Sequence, residues 1–85
     1  MKPVVVYRTA WCPYCQRAEA LLAARGVAHP QIIDLDEEPA RRREMIDRAG
    51  RTSVPQIFIG EVHVGGCDEL HALDRRGELV PLLQA

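Results

Sequence analysis

The sequence predicts a small α/β domain built on a four-stranded mixed sheet flanked by helices, with the element order βαβ-α-ββα. A β-branched run at residues 4–7, a segment with helical periodicity and a second apolar run follow one another, which is the pattern of a βαβ unit. Two later short strands flank Gly60-Glu61, the signal of a tight hairpin. With 85 residues the chain is long enough for one domain, which we assign to residues 1–85.

The first half of the chain supplies the parallel part of the sheet. Residues 4–7 are continuous and β-branched, which indicates a strand buried on both faces. Pro13 suits the first turn of the following helix, because its missing N–H needs no partner there, and Gly26 ends that helix. Residues 31–35 form the second strand, which is predicted to run parallel to the first since a helix connects the two.

A second helix is predicted to follow the second strand. Residues 36–39 are acidic and end in a proline, which is typical of a helix start, and Gly50 ends the helix. The apolar face of this helix comprises Met45, Ile46 and Ala49.

The last third of the chain is predicted to form the hairpin and the closing helix. The hairpin strands are residues 56–59 and 62–64, and Gly65-Gly66 then breaks the sheet. Asp68 is predicted to cap a third helix, which Gly77 interrupts before a final short segment. The apolar residues expected to pack these segments are Leu70, Leu73, Leu79, Leu82 and Leu83.

Composition excludes several classes of function. A formal net charge of -1 gives no electrostatic basis for binding nucleic acid or a membrane, and no apolar run has the length of a membrane span. The first residues lack the apolar stretch and cleavage site of a signal peptide, so we expect a cytoplasmic location. Three cysteines are too few for a secreted disulfide scaffold. No long exposed apolar stripe is evident, and a monomer is expected.

Cys12 and Cys15 form a Cys-x-x-Cys motif where the first strand gives way to a helix, which is typical of a thioredoxin-like redox site. At a helix N-terminus the free N–H groups and the macrodipole favour a thiolate, the form that attacks disulfides. Cys12 is therefore the candidate nucleophile, and Cys15, one turn further in, is the candidate resolving thiol. Two alternatives stay open, namely inert packing cysteines and half of a zinc site, whose remaining ligands would come from Cys67, His29, His63 and His71.

Three segments together resemble the signature segments of the dithiol glutaredoxins. They are Cys12-Pro13-Tyr14-Cys15, residues 52–59 and residues 65–69, in the order and at the separations of that family. The resemblance covers nearly the whole chain and is closest to the small bacterial members of the glutaredoxin-3 type. It implies the thioredoxin fold and reduction of protein disulfides and glutathione mixed disulfides, with glutathione as co-substrate and no metal. The implied partners are disulfide-containing or glutathionylated proteins, ribonucleotide reductase among them.

The resemblance also implies a glutathione site. The Val54–Pro55 peptide bond is expected to be cis, which would leave the Val54 backbone groups free to pair with the cysteinyl part of glutathione. The γ-glutamyl carboxylate is expected at the start of the third helix, with the Asp68 side chain nearby. The implied contact residues are Cys12, Tyr14, Arg51, Ser53, Val54, Pro55, Gly66, Cys67 and Asp68.

Several side chains also have a plain structural interpretation. Arg51 is either a ligand for the glycyl carboxylate or a solvated loop charge. Cys67 is either an apolar filler or a second oxidisable thiol, and Trp11 either contacts substrates or packs against the domain. The run Arg41-Arg42-Arg43 is either a solvated helix face or a device that steers anionic glutathione. The three histidines are interpreted as surface residues unrelated to the motif.

One position departs from the family pattern. Glutaredoxins usually carry Lys or Arg three residues before the first cysteine, where this chain has Thr9, with Arg8 one position earlier. Alternation along a strand sends Arg8 and Thr9 to opposite faces. Lower glutathione affinity, or a larger part for Arg51, is therefore expected unless an irregular backbone lets Arg8 substitute.

Two rival functions stay open from the sequence. The first is a redoxin of the same fold that thioredoxin reductase reduces; Thr9 keeps it open, whereas the segment at residues 65–68 argues against it. The second is a module that holds an iron–sulfur cluster with Cys12 of two subunits and external glutathione. Pro13 and Cys15 disfavour this module, because cluster carriers of the family usually have other residues there. Weak glutathione binding would favour the first rival, and a colourless purified protein would count against the second.

Overall fold

A computed structural model describes residues 1–85 and arranges the chain in three layers around one sheet. The strands are β1 (Val4–Arg8), β2 (Gln31–Asp34), β3 (Gln56–Ile59) and β4 (Val62–Gly65). The helices are α1 (Pro13–Ala24), α2 (Arg42–Ala49), α3 (Cys67–Arg75) and α4 (Leu79–Gln84), and a 3₁₀ turn at Pro39–Arg41 precedes α2. The predicted βαβ-α-ββα order is thus confirmed, with a fourth short helix at the end. None of the helices combines the length and apolarity needed to cross a membrane.

The sheet is mixed and has the strand order β2-β1-β3-β4. Strands β1 and β2 pair in parallel, as the connecting helix predicts, whereas β3 pairs antiparallel with both β1 and β4. Ile57 lies opposite Gly65 and Phe58 opposite His63, so β4 carries one extra residue, Val64, between these two pairs. This bulge brings the C-terminal end of β4 towards the loop that enters β3.

The two central strands, β1 and β3, bury side chains on both faces of the sheet, which the sequence predicts for β1. Val4 and Val6 of β1 pack with Ile57 and Ile59 of β3 in the larger cluster. Helices α1, α3 and α4 cover this cluster with Ala18, Leu22, Leu70, Leu79 and Leu83. Tyr7 of β1 and Phe58 of β3 point to the opposite face, where α2 contributes Met45. Burial on both faces explains why β1 and β3 read as continuous apolar runs instead of alternating ones.

Two predicted helix starts differ from the structure. Of residues 36–39, only Pro39 is helical: it opens the 3₁₀ turn in the predicted first-turn position, and α2 itself begins at Arg42. Residues 36–38 turn after β2, where the Asp34 carboxylate accepts the Asp36 N–H at 2.9 Å. Asp68 is not the cap of α3, because the cap residue is Gly66 and Asp68 lies within the first turn. Gly65 is the last residue of β4 and does not break the sheet. In each case a local hydrogen bond or strand pair shifts the boundary by a few residues.

Candidate active site

The Cys-x-x-Cys pair lies at the N-terminus of α1, beyond the end of the central strand β1. Cys12 has an extended backbone and caps the helix, and Pro13 occupies the first turn as predicted. The structure joins Cys12 and Cys15 by a disulfide, with their Cα atoms 5.1 Å apart. Cys15 is 0 % exposed and Cys12 is 6 % exposed. Of the two residues, only Cys12 therefore keeps contact with solvent.

The surroundings of the Cys12 sulfur favour negative charge. The backbone N–H of Cys15 donates to Cys12 Sγ at 3.0 Å, across the open first turn of α1. A helix N-terminus presents such N–H groups together with the positive end of the macrodipole. The carbonyl oxygen of Val54 lies 3.9 Å from Cys12 Sγ. The sulfur is thus held between a donor from α1 and the loop that leads into β3.

A groove opens beside the cysteine pair and holds the residues that the resemblance implies for glutathione. Its empty volume, including the open mouth, is about 390 Å³. Cys12 itself does not line the groove, but its Sγ lies 3.9 Å from the carbonyl oxygen of Val54, which does. The lining residues are Tyr14, Arg51, Ser53, Val54, Pro55, Gly66, Cys67, Asp68 and Glu69.

The wall nearest Cys12 is formed by Ser53, Val54 and Pro55. The Val54–Pro55 peptide bond is cis, as the resemblance implies. Pro55 is buried and the Val54 side chain is half-buried. The Val54 N–H has no backbone partner, so it is available to a ligand.

Arg51 and Glu69 form an ion pair within the groove, with Arg51 Nη1 2.8 Å from Glu69 Oε1. The same oxygen accepts the Gly66 N–H at 2.7 Å. The bond from Gly66 and then the Arg51 guanidinium lower the pKa of Glu69. Arg51 is therefore not a free loop charge. The sequence interpretation missed Glu69, although its position three residues after the helix cap is the signal of a capping acid.

Gly65 makes room for this ion pair. Its φ is +114°, and a Cβ at this position would stand 2.6 Å from Glu69 Oε1 and 3.2 Å from Arg51 Nη1. We expect Gly65→Ala to lower the free energy of unfolding by roughly 1–3 kcal/mol, from backbone strain and displacement of Glu69. Urea denaturation measures this loss.

Gly50→Ala is the matched control, because Gly50 also has positive φ, +69°, but no atom within 4 Å of the added Cβ. The difference between the two variants gives the crowding against Glu69 together with the greater backbone strain at +114°. Equal losses would contradict a packing role for Gly65.

Arg8 does not take the place of the missing family cation. Its Nε lies 2.9 Å from Glu19 Oε2, off the hydrogen-bonding direction, and its Nη1 lies 3.4 Å from Asp34 Oδ2. Neither Arg8 nor Thr9 lines the groove. The basic group that does line it is Arg51, which Glu69 partly neutralises.

Cys67 is 4 % exposed, and burial raises the pKa of its thiol, which suits the filler interpretation. Its sulfur lies 3.4 Å from Nδ1 of His71. The interpretation of all three histidines as surface residues is wrong for two of them, since His71 and His63 are half-buried and hydrogen-bonded while His29 is exposed. No group of three or more His, Cys, Asp or Glu side chains converges to hold a metal ion.

Two aromatic side chains flank the cysteine pair at the surface. Trp11 is 96 % exposed, so the packing interpretation is wrong. Tyr14 is 55 % exposed and lines the groove, with the Arg17 guanidinium 5.9 Å from its ring centroid. Exposed aromatic surface of this kind is typical of contact sites for other molecules.

The arginine run is solvated only in part. Arg41 pairs with Glu44 at 2.9 Å, and Arg42 donates to the Thr52 carbonyl at 3.2 Å. Arg43 is the exposed member and pairs with Asp47 at 3.2 Å on its own helix. Arg42 therefore braces the loop that carries the groove wall, and none of the three lines the groove.

Comparison with known proteins gives consistent matches. Residues 4–64 match the family model described as Glutaredoxin. The chain is 58% identical over 85 residues to a glutaredoxin of Pseudomonas aeruginosa, covering 100% of both chains. It is 55% identical over 84 residues to glutaredoxin 3 of Escherichia coli, covering 99% of this chain and 100% of that one. A crystal structure of a buckwheat glutaredoxin–glutathione complex superposes with a TM-score of 0.88 at 38% identity, covering 98% of this chain and 77% of that chain.

Proposed function

The chain belongs to the glutaredoxin family, has its thioredoxin fold and is a glutathione-dependent thiol–disulfide oxidoreductase, in which we propose that Cys12 attacks and Cys15 resolves. The observation that carries this assignment of roles is the asymmetry of the pair. Cys12 Sγ receives the Cys15 N–H at 3.0 Å at the start of α1, whereas Cys15 is fully buried. A thiolate so placed is the better nucleophile for an external disulfide.

Protein disulfides are reduced in a dithiol sequence. The Cys12 thiolate attacks one sulfur of the substrate disulfide and forms a mixed disulfide, and the other substrate sulfur leaves as a thiolate. The Cys15 thiolate then attacks Cys12 Sγ, which releases the second substrate thiolate and leaves the Cys12–Cys15 disulfide. Two glutathione molecules return the pair to the dithiol and become glutathione disulfide.

Glutathione mixed disulfides need Cys12 alone. Its thiolate attacks the glutathione sulfur of a glutathionylated protein, so the protein thiolate leaves and Cys12 becomes glutathionylated. A second glutathione attacks the glutathione sulfur of that adduct, which frees Cys12 and produces glutathione disulfide. Cys15 takes no part in this branch.

The groove beside Cys12 is proposed to hold the glutathionyl group. Its cysteinyl backbone would pair with the free N–H and the carbonyl of Val54, next to cis-Pro55, and Tyr14 would flank it. The γ-glutamyl carboxylate would lie at the start of α3, near Gly66, Cys67 and Asp68, because the free N–H groups of a helix N-terminus bind anions. Arg51 would bind the glycyl carboxylate, and the ion pair between Arg51 and Glu69 would then open.

Substrate range and setting are also proposals. Trp11 and Tyr14 provide exposed aromatic surface next to Cys12, which supports protein disulfides as substrates. The family resemblance supports two further substrates, namely glutathionylated proteins and ribonucleotide reductase. We propose that the protein works in the cytoplasm, because reduction by glutathione requires a compartment that keeps glutathione reduced. We also propose that it is a monomer, because the sequence has no evident long exposed apolar stripe.

The coupled assay tests the function directly. Reduction of a glutathionylated peptide is followed through NADPH consumption, with glutathione and glutathione reductase as one regenerating system and thioredoxin reductase as the other. We expect turnover with glutathione reductase and none with thioredoxin reductase. The reverse result would assign the chain to the redoxins that thioredoxin reductase reduces.

Arg51→Met is expected to raise the KM for a glutathionylated peptide by about three- to tenfold, with kcat little changed. Loss of the cation removes a carboxylate partner and leaves Glu69 unneutralised in the groove. The KM of the variant should also depend less on salt than that of the wild type. Steady-state kinetics at two ionic strengths measure both effects.

Arg43→Met is the matched control, because the Arg43 side chain is 82% exposed and pairs with Asp47 on its own helix. A rise in KM in both variants would point to general steering by positive charge. An unchanged KM in Arg51→Met would leave Arg51 with the ion pair to Glu69 as its whole role.

A further inference from the structure

Gln56 is a buried polar side chain in an otherwise apolar strand. It opens β3, is 0 % exposed, and is followed by Ile57, Phe58 and Ile59. A buried amide is costly unless both its ends are hydrogen-bonded. The partners of Gln56 therefore indicate what it stabilises.

The amide of Gln56 links the groove wall to the edge strand. Its Nε2 donates to the Ser53 carbonyl at 3.0 Å and lies 3.3 Å from the Ser53 hydroxyl. Its Oε1 lies 2.7 Å from Nε2 of His63 on β4. Ser53 lines the groove, so a chain of hydrogen bonds runs from β4 through the core to the wall beside Cys12.

The direction of this chain is fixed by chemistry. The Ser53 carbonyl is an acceptor, so the amide N–H₂ of Gln56 must face it and Oε1 must face His63. Since Oε1 is also an acceptor, Nε2 of His63 must carry the proton. Burial, followed by the positive charge of Arg51, lowers the pKa of His63, so the ring is neutral at pH 7 and has the Nε2–H tautomer.

His63 is itself held by packing. It lies opposite Phe58 in the β3–β4 register, and the two rings stack with centroids 4.8 Å apart. The Arg48 guanidinium lies 4.1 Å from the Phe58 ring centroid. The donor that Gln56 needs is therefore placed by the sheet and cannot rotate away freely.

Fixing the Ser53 carbonyl also fixes the next N–H. Carbonyl and N–H of one trans peptide point in opposite directions within a rigid plane. The Ser53–Val54 bond is trans, so a carbonyl turned inward to Gln56 turns the Val54 N–H outward. That N–H has no backbone partner and is the group proposed to receive the cysteinyl backbone of glutathione.

We propose that Gln56 and His63 are positioning residues for glutathione, which orient the Ser53–Val54 peptide so that the Val54 N–H meets the ligand. The inference rests on the proposed use of the groove by glutathione. Neither residue touches the reacting sulfurs, so they act on ligand binding and leave the exchange chemistry to Cys12.

Three variants test the inference with kinetics on a glutathionylated peptide and with thermal unfolding. Gln56→Met removes both ends of the link, and His63→Phe keeps an aromatic ring on Phe58 but removes the donor. Each should raise KM about three- to tenfold, the factor of one lost hydrogen bond, with kcat within about twofold. His63→Phe should also lower Tm, because Gln56 Oε1 is left buried without a donor.

The double variant Gln56→Met with His63→Phe separates positioning from stability. Replacing both polar groups removes the unsatisfied oxygen, so Tm should recover relative to His63→Phe, whereas KM should stay as high as in Gln56→Met. Leu83→Ala is the control for destabilisation alone, since Leu83 is fully buried in α4 and does not line the groove. It should lower Tm and leave KM unchanged.

Each other outcome overturns the inference. A wild-type KM in the single variants would mean that Gln56 and His63 only pack the fold. The same would follow if both KM and Tm of the double variant recovered towards the wild-type values. A ¹⁵N NMR spectrum with the Nδ1–H tautomer of His63 would contradict the direction of the chain. Absence of glutathione-dependent turnover in the wild-type protein would overturn the proposed function as well. Failure of the proposed function is thus seen in the wild type, and failure of the positioning role is seen only in the variants.

Discussion

Cys12→Ser is expected to lose reduction of both protein disulfides and glutathionylated peptides. Both branches begin with attack by the Cys12 thiolate, and a serine hydroxyl is neither ionised at neutral pH nor able to form a disulfide. Cys15 cannot replace it, because its sulfur is fully buried. Activity should therefore fall to the uncatalysed rate of exchange between glutathione and the substrate. The glutathione reductase-coupled assay with each substrate in turn measures the loss.

Cys67→Ser is the control, because Cys67 is the third thiol of the chain and lines the same groove. We expect this variant to retain wild-type rates, since burial raises the pKa of Cys67 and disfavours its thiolate. Activity that survived in Cys12→Ser and disappeared in Cys67→Ser would transfer the role of nucleophile to Cys67.

The Cys12 site could be predicted from sequence because its parts are local. The cysteine spacing, the proline at the helix start and the β-branched run before them are read within residues 4–15, and each reflects one element. The same holds for the hairpin at Gly60-Glu61. Periodicity and turn chemistry act over a few residues. The elements that they predict are therefore present in the structure, with boundaries shifted by one to three positions.

The electrostatics of the groove could not be read in that way. Glu69 neutralises Arg51 across 18 positions, and Gln56 meets His63 through a strand pair with a bulge. The Arg51–Glu69 contact depends on how the loop at residues 50–55 approaches the start of α3, and the Gln56–His63 contact depends on the bulged register of β3 and β4. No local pattern encodes either arrangement. The polar Gln56 inside an apolar strand was nevertheless a readable signal, because a buried amide needs partners.

The partners of Arg8 could not be predicted from the sequence either. Alternation along β1 predicts opposite faces for Arg8 and Thr9, but it does not reveal that Glu19 and Asp34 pair with Arg8. The missing family cation therefore leaves Arg51 as the basic residue in the groove lining. Affinity for glutathione should accordingly depend on how readily Glu69 gives up Arg51.

Cys15→Ser is expected to separate the two branches. Resolution by Cys15 is intramolecular, with its Cα 5.1 Å from that of Cys12, so it outcompetes attack by free glutathione on the same mixed disulfide. Without it, reduction of protein disulfides should fall at least about tenfold and a covalent complex of Cys12 with the substrate protein should accumulate. Deglutathionylation should stay within about threefold of wild type, because that branch never uses Cys15. Coupled assays and non-reducing gels measure the two effects.

Cys15→Ala is the control for the buried hydroxyl that serine introduces on the part of α1 that also buries Ala18 and Leu22. Both variants should show the same separation of activities, since both lack the Cys15 thiol. The alanine variant should be the more stable of the two in urea, because it buries no hydroxyl. Loss of deglutathionylation in both variants would mean that Cys12 needs its partner sulfur for every turnover. The monothiol branch would then be wrong for this chain, and glutathione would act only by reducing the Cys12–Cys15 disulfide.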